Sequence, residues 1–561
     1  MTARTHRSCT WRGGLFCIVV FCCLVGLSPV QAAKDGPLSP EDGKIGIFDL
    51  KAIRAVPLEA EVVAHREEDG IAVDEIRYTS RPGVRVFAIL TYPQGKKRSP
   101  LMVFVRNAGA ETRKVEAKNG FATLSVCAPA NNRDPNKKLS TGGPPFNQFF
   151  TDDPEQSWYY HHVVALVRGL DYLETRAEVD MKNGVVIGFS TSGYVASLLH
   201  AVENRPRGYY TWHGCGPYVA PDGTSAGKPS TLSRKHYEMY CPAAYARYGA
   251  SPIVVATALN DYYSILDAQI EFFANLRCPK TLAVAPNRGH DETSRKELNS
   301  SYIWQLHWQF FGPKPANVTD GTLTARAGRL WYSFKVASAK PPTFADVLFS
   351  YGKPGHWVGR TWHRVPAVKA GGSTYECEIP VYDPAMPLYA LAQIQTDSLG
   401  TAAVCPQLLT PQSLGITAPT ATYPKMLFDF EEPSDLYVQV GRPAFVPDAP
   451  MGKMAAAIAP FADGTVQLLN IEPFFWKGAK ELRFKLKGDG NPGPVEVYFA
   501  ADRGYWDFPR VTLVAPEATF EAGWNDYSIP LDGFVDLAEL NCLVFVVPGR
   551  QTLLIDGVRW E

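Results

Sequence analysis

The sequence predicts an α/β chain: a doubly wound, mostly parallel sheet followed by two β-sandwich domains. Three observations predict it. Between about residues 76 and 311, short continuous apolar runs alternate with helical periodicity, the pattern of strands buried on both faces. After Gly312-Pro313-Lys314-Pro315 the pattern becomes apolar–polar alternation, as in half-buried strands. Beyond Thr410 to Pro424, a second Pro/Thr-rich stretch, turn signals recur at sandwich spacing. A length of 561 residues allows three or four domains at roughly 150 residues each.

Residues 1–32 read as an export signal. Arg4, Arg7 and Arg12 precede the apolar run Leu15 to Leu27, and Val30-Gln31-Ala32 supplies small residues for cleavage. That run is too short to span a bilayer comfortably, and no later stretch reaches about 18 apolar residues, so no membrane span is expected. Cys22 and Cys23 lack the small preceding residues of a lipoprotein signal. The chain carries 56 Lys+Arg against 56 Asp+Glu. A nucleic-acid-binding protein would need a basic excess, so none is expected as partner. Hydrophobic residues at 46% and charged residues at 20% exclude wholesale disorder.

Within the mixed part, Ile76 to Ser80 and Val84 to Tyr92 form a hairpin around Arg81-Pro82-Gly83. Leu101 to Val105 and Ala122 to Cys127 are strands. Trp158 to Thr175 is a helix with Val163, Val167, Leu170 and Leu173 on one face and Arg168 and Asp171 off it. Val185 to Phe189 is a strand, followed by a helix from Tyr194 to Glu203. Tyr209 to His213, Ile253 to Ala258 and Thr281 to Ala285 complete the strands, and Tyr302 to Phe311 is a closing helix. The expected units are 33–312, 316–410 and 424–561.

Gly188-Phe189-Ser190-Thr191-Ser192-Gly193 lies between a strand and a helix. A sharp turn there lifts a serine hydroxyl above the sheet edge and requires small residues two before and two after the nucleophile. For Ser190 those are Gly188 and Ser192. For Ser192 they would be Ser190 and Tyr194, and the tyrosine would clash. Ser190 is therefore the nucleophile candidate. In such folds the acid and the base follow in the order Ser, acid, His, each beyond a strand end. Asp261 follows strand Ile253 to Ala258, and His290 follows strand Thr281 to Ala285. His290 is the expected general base and Asp261 the acid that orients it, with Asp267 a second acid candidate inside the next helix. Two donors must face a tetrahedral oxyanion: the N–H of Thr191 and one near Ala108, in the loop after strand Leu101 to Val105. Trp212 and His213 follow a strand end and are expected to border the substrate pocket. Tyr237, Tyr240, Tyr245 and Tyr248 fall in an insert, either lining a mouth or packing the loop.

Residues 70 to 311 resemble the α/β-hydrolase superfamily, and within it the bacterial acetyl xylan esterase and cephalosporin-C deacetylase group. The resemblance is carried by Ile76-Arg77-Tyr78-Thr79-Ser80, Gly83-Val84-Arg85-Val86, Tyr92-Pro93, Arg168-Gly169-Leu170-Asp171-Tyr172-Leu173, Val179-Asp180 and the elbow. The stretch from Asp261 to His290, with Phe272, Leu276, Lys280 and Pro286-Asn287, also resembles a secreted, virulence-associated group of α/β-hydrolases. Ser192 stands where glycine is usual, and the oxyanion loop lacks the usual His-Gly, a departure from the deacetylase pattern.

The last unit, from Phe428-Asp429-Phe430-Glu431 to Ile555-Asp556-Gly557-Val558, resembles jelly-roll, carbohydrate-binding-module-like domains. That resemblance implies a structural calcium on Asp429, Glu431 and Asp556, since carboxylate oxygens suit that ion. No cofactor is expected for catalysis. Phe474-Phe475-Trp476 and Tyr505-Trp506 either stack on sugars or pack the core. Cys377 with Cys405, and Cys215 with Cys241, are candidate bridges, with buried free thiols the alternative. The expected function is an exported serine esterase acting on an acylated carbohydrate or another ester. An exported serine peptidase and a non-catalytic polysaccharide-binding scaffold are the rival readings.

Overall fold

The computed structural model describes residues 43–107, 109–128, 140–214, 234–261, 263–290, 316–338, 340–352, 360–396, 401–431, 438–440, 442–459, 465–469, 471–476, 478–488, 496–500, 510–513, 523–531, 542–546 and 553–561. The expected export signal, the closing helix Tyr302 to Phe311, the linker 312–315, Ala108, Cys215 and Tyr505-Trp506 lie outside the described residues.

The first unit is built on strands β1 (Glu61–Glu68), β2 (Ile71–Arg81), β3 (Val84–Pro93), β4 (Ser99–Arg106), β5 (Ala122–Cys127), β6 (Val179–Phe189), β7 (Gly208–Trp212), β8 (Ile253–Ala258) and β9 (Lys280–Ala285). They lie in the order β9-β8-β7-β6-β4-β5-β3-β2-β1. The run from β9 to β5 is parallel, and β3, β2 and β1 add antiparallel strands. Helices α1 (Trp158–Leu173), α2 (Thr191–Val202) and α3 (Leu266–Asn275) flank the sheet. Both faces are covered, which is why β8 reads as an unbroken buried run.

Helix α1 is more deeply buried than its one apolar face suggests. Arg168, off that face, is itself buried, donating to Val56 O at 2.7 Å and Asp171 Oδ2 at 2.5 Å. The segment before the hairpin supplies this cover: residues 43–58 wrap over α1, and Phe48 stacks on Tyr160.

The second unit is not a separate bead on the chain. Strands β10 (Asn317–Arg326), β11 (Arg329–Ala337), β14 (Val368–Gly371) and β15 (Thr374–Ile379) form one antiparallel sheet in the order β10-β11-β15-β14. Strands β12 (Phe344–Tyr351), β13 (His363–Pro366), β16 (Leu388–Gln395), β17 (Thr401–Ala403) and β18 (Gln407–Leu409) instead extend the first unit's sheet. β17 pairs antiparallel with β9 through Leu282 and Ala403, giving one 14-stranded sheet. The open edge of β9 is thereby covered. Alternate residues of the joining strands feed two cores, as the two-residue period requires. Leu348, Tyr389 and Leu391 enter the first unit's core, while Val347, Phe349, Ala390 and Ala392 enter the core shared with β11.

The stretch Thr410 to Pro424 is pinned rather than a free linker. Ile416 is buried in the second unit's core, and Thr420 N donates to Val381 O at 2.8 Å. In the last unit, β19 (Met426–Phe428), β21 (Arg442–Val446), β22 (Ala455–Ala459), β24 (Glu481–Gly488), β27 (Gly523–Pro530) and β29 (Leu553–Trp560) form one sheet. β20 (Val438–Val440), β23 (Thr465–Leu469), β25 (Glu496–Ala500), β26 (Arg510–Leu513) and β28 (Cys542–Val546) form another. Leu482, Phe484 and Leu486 of β24 share a core with Leu543 and Phe545 of β28.

In two places the structure selects between alternatives that the sequence leaves open. Cys377 and Cys405 are free thiols, as is Cys241. Cys377 points into the second unit's core and Cys405 packs against the first unit's, so the pair faces different cores. Trp476 is buried, and Phe475 stacks on Tyr423 with ring centroids 4.7 Å apart, so these aromatics pack the junction between the last two units. Among the described residues, no helix is long and apolar enough to cross a membrane.

Candidate active site

β6 ends at Phe189 and α2 begins at Thr191, leaving Ser190 alone to make the turn. Its backbone sits at φ 55 and ψ −126, a strained position that non-glycine residues occupy mainly at functional sites. Two glycines make the turn feasible. A Cβ on Gly188 would lie 2.3 Å from Ser192 O, and one on Gly193 would lie 2.7 Å from Trp212 O. The turn is fastened by Ser190 N donating to Trp212 O at 2.8 Å and Tyr194 N donating to Ser190 O at 2.9 Å. Ser192 is buried at the turn, so a serine is accommodated where glycine is usual. Gly193 is thus a second position of the turn at which only a glycine fits without a shift of the backbone.

Ser190 Oγ lies 2.8 Å from His290 Nε2. His290 Nδ1 lies 2.9 Å and 3.1 Å from the two carboxylate oxygens of Asp261. Asp261 Oδ1 also accepts the backbone N–H groups of Tyr263 at 2.7 Å and Ser264 at 2.9 Å. Burial alone would raise the Asp261 pKa, but the charges and hydrogen bonds of His290 and His213 outweigh it and hold the carboxyl well below the usual carboxylate range. Asp267 falls in the first turn of α3 instead.

His213 is placed against Asp261 rather than at the pocket border. Its Nδ1 is 2.5 Å from Asp261 Oδ2, and its side chain is fully buried. A left-handed backbone at φ 53 turns the ring inward from the end of β7. Trp212, by contrast, is partly exposed and packs edge-on against Phe189 at 4.8 Å. The exposed rings beside His290 that sequence reasoning missed are those of Phe189 and Tyr263. They are 39% and 47% exposed, and both contact the His290 ring. An apolar residue directly before the elbow serine was the available signal for Phe189.

Thr191 opens α2, so its N–H has no acceptor within the helix and lies at the positive end of the helix dipole. Tyr240 and Tyr245 are buried packing residues. Their hydroxyls donate to Thr151 O at 2.8 Å and Met239 O at 2.9 Å.

The three acids expected to hold calcium each accept backbone N–H groups. Asp556 accepts from the N–H groups of Met451 and Gly557, Glu431 from those of Lys453 and Met454, and Asp429 from that of Glu431. Among the described residues, the group of three that brings its ligand atoms within 4.8 Å is His213, Asp261 and His290. Burial, with the charges of Glu431 and Asp429, pushes the Asp556 pKa up, so the three acids lie within electrostatic reach of one another.

The parallel sheet, the strained serine between β6 and α2, and the order serine, acid, histidine define an α/β-hydrolase fold. No family model matches the chain, and no curated protein does. Among solved structures it is similar to the acetyl xylan esterase from Paenibacillus sp. R4, at 16% identity over 45% of this chain and 91% of that one, with a TM-score of 0.37. It is also similar to acetyl xylan esterase 1 from Thermoanaerobacterium sp. JW/SL YS485, at 13% identity over 43% and 85%, with a TM-score of 0.37. A puromycin-hydrolyzing peptidase of Mycobacterium tuberculosis matches at 12% identity over 45% and 48%, with a TM-score of 0.32.

Proposed function

We propose that this protein is an exported serine hydrolase that cleaves carboxylic esters through an acyl-enzyme, with an O-acetylated carbohydrate as its substrate class. The observation that carries the reaction is the contact of Ser190 Oγ with His290 Nε2 at 2.8 Å, behind which Asp261 holds Nδ1. His290 takes the Ser190 proton as Oγ attacks the ester carbonyl carbon. The oxyanion that forms meets the Thr191 N–H at the helix start. His290 then passes the proton to the departing alcohol, and the same imidazole activates the water that releases the acid. Asp261 fixes the tautomer that leaves Nε2 free to accept, and stabilises the imidazolium.

The substrate class rests on what surrounds the serine. Phe189 and Tyr263 offer exposed ring faces beside His290, and such faces suit the C–H surface of a sugar ring. Asp261 is buried behind His290, so it is not placed to anchor the free amine of a peptide.

The test is release of p-nitrophenol from p-nitrophenyl acetate, butyrate and octanoate by the mature protein, beside Ser190→Ala. Acetate-preferring turnover that vanishes in the variant supports the esterase. Serine-dependent turnover confined to aminoacyl-nitroanilides would replace it with a peptidase, and no reaction with a fluorophosphonate would leave a non-catalytic scaffold.

A further inference from the structure

We infer that the second unit is a working part of the hydrolytic site, and that Asn260 and Asn287 are positioning residues which lock the acid and histidine loops onto its backbone. The inference rests on the serine-hydrolase reading above.

Each asparagine sits at the start of a loop that delivers one member of the triad. Asn260 immediately precedes Asp261, and Asn287 lies three residues before His290. Both side chains leave the first unit. Asn260 Nδ2 donates to Arg360 O at 2.7 Å. Asn287 Nδ2 donates to Trp362 O at 2.9 Å, and its Oδ1 accepts from Trp362 N at 2.8 Å. The second contact is a reciprocal pair, the way one strand residue reads another. All four residues are at most 5% exposed, so these bonds are shielded from water and a lost partner is not replaced by solvent. The two loops are also tied to each other, through Leu259 N to Ala285 O at 2.9 Å and Asn260 N to Arg288 O at 3.0 Å.

The receiving segment is itself rigidly held. The buried Arg360 guanidinium donates to Tyr351 O at 3.0 Å, at the end of β12, and lies over the Tyr389 ring at 4.7 Å. Trp362 belongs to the first unit's core. Asn287 adopts φ 52, a left-handed turn that asparagine tolerates better than most residues. Residues 360–362 therefore act as a template outside the α/β unit against which both loops are set. A third tie, Gln393 Nε2 to Val284 O at 2.8 Å, joins the same units within the sheet but touches neither loop. It separates general cohesion from positioning.

The experiment uses the full chain with Asn260→Ala, Asn287→Gly and Gln393→Leu, the glycine keeping the left-handed turn. Fluorophosphonate labelling, kcat and KM for p-nitrophenyl acetate and the melting temperature are measured on each. A displacement of about 1 Å at a catalytic group costs on the order of a hundredfold. The expected result is a fall of tenfold or more in kcat and labelling rate for both asparagine variants, with KM within about twofold. Gln393→Leu should lower the melting temperature and leave kcat unchanged. If Asn260→Ala fails to fold, the milder Asn260→Ser carries the same comparison. Asparagine variants that melt earlier yet keep wild-type kcat and labelling would overturn the inference and leave these bonds structural. A wild type that the fluorophosphonate does not label overturns the hydrolase reading, and this inference with it. A labelled wild type with unaltered variants overturns this inference alone.

Discussion

His213 Nδ1 and Asp261 Oδ2 lie 2.5 Å apart with both side chains fully buried, so the carboxylate that orients His290 is shared between two imidazoles. The His213 main chain is fixed on both sides, its N–H donating to Ala256 O at 2.9 Å and its carbonyl accepting from Ser264 Oγ at 2.6 Å. Two rings thus compete for one negative charge. Replacing His213 with leucine leaves that charge to His290 alone. Asp261 then orients His290 alone, so kcat for p-nitrophenyl acetate should fall far less than on loss of the Asp261 carboxylate itself. The packing around Asp261 loosens at the same time, lowering stability by about 1–3 kcal/mol. A loss of kcat as large as that on removing the Asp261 carboxylate would mean that Asp261 orients His290 only with His213 in place.

Asp261→Asn is expected to be far more severe than His213→Leu. An amide at this site can donate where the carboxylate only accepts, favouring the tautomer whose Nε2 carries the proton and cannot receive one from Ser190. In a serine protease with this arrangement the same change lowers kcat by about 10⁴. Two backbone N–H groups already point at Oδ1, so the fold should survive. Steady-state ester hydrolysis and a melting curve on the same sample decide it: a kcat within tenfold of wild type would remove Asp261 from the orienting role.

The elbow and the order of its partners were legible because each residue sits next to a recognisable strand end. Ser190, Asp261 and His290 could be named from that spacing, since the sheet forces strand ends together at one edge. His213 was visible as a residue but not in its role. The sequence shows that it follows β7, yet only the left-handed backbone turns its ring under Asp261 instead of toward a substrate. The joining of the second unit was hidden for a related reason. The strand Leu388–Gln395 is buried along nearly its whole length, but nothing in its residues says which neighbours cover its two faces. A pairing between β9 and β17, more than a hundred residues apart, leaves no local mark.

Gly188 carries a prediction about the elbow itself. An added methyl would sit 2.3 Å from Ser192 O and 2.8 Å from Ala196 Cβ. Backbone and a packed helix residue stand there, and neither can swing away, so α2 must shift. Gly188→Ala should cost about 3 kcal/mol of stability, and should lower kcat at least tenfold by moving Ser190 off the His290 axis. Urea unfolding beside ester turnover measures both. A variant with wild-type stability would show the turn to be looser than these contacts allow.

Acid sensitivity is expected from one buried histidine in each of α1 and α2. His162 is wholly buried, its ring edge-on to Trp158 at 4.7 Å, and burial pushes its pKa down to about 3. Burial likewise lowers His200 to about 4. An unfolded chain binds a proton at each histidine near pH 6.5, and the fold excludes it. The contribution is therefore complete above pH 6.5 and is lost as pH falls toward 3, at roughly 1.4 kcal/mol per pH unit for each ring. His162→Phe removes one of these titrations. Urea midpoints between pH 7 and pH 5 should fall less steeply in the variant, and equal slopes would refute the assignment.

Tyr263 separates the sugar from the ester. Its ring is 47% exposed and meets the His290 ring edge-on at 5.0 Å, while its backbone N–H already serves Asp261. Tyr263→Ala keeps that N–H and removes only the ring. If the exposed face stacks on a carbohydrate, KM for an acetylated xylo-oligosaccharide should rise about five- to tenfold, the loss of roughly 1 kcal/mol of aromatic contact. Turnover of p-nitrophenyl acetate, which brings no sugar, should stay within about twofold. Equal losses on both substrates would place Tyr263 in support of His290 instead, and equal retention on both would move the carbohydrate contact to Phe189 or Trp212, where the same paired measurement applies.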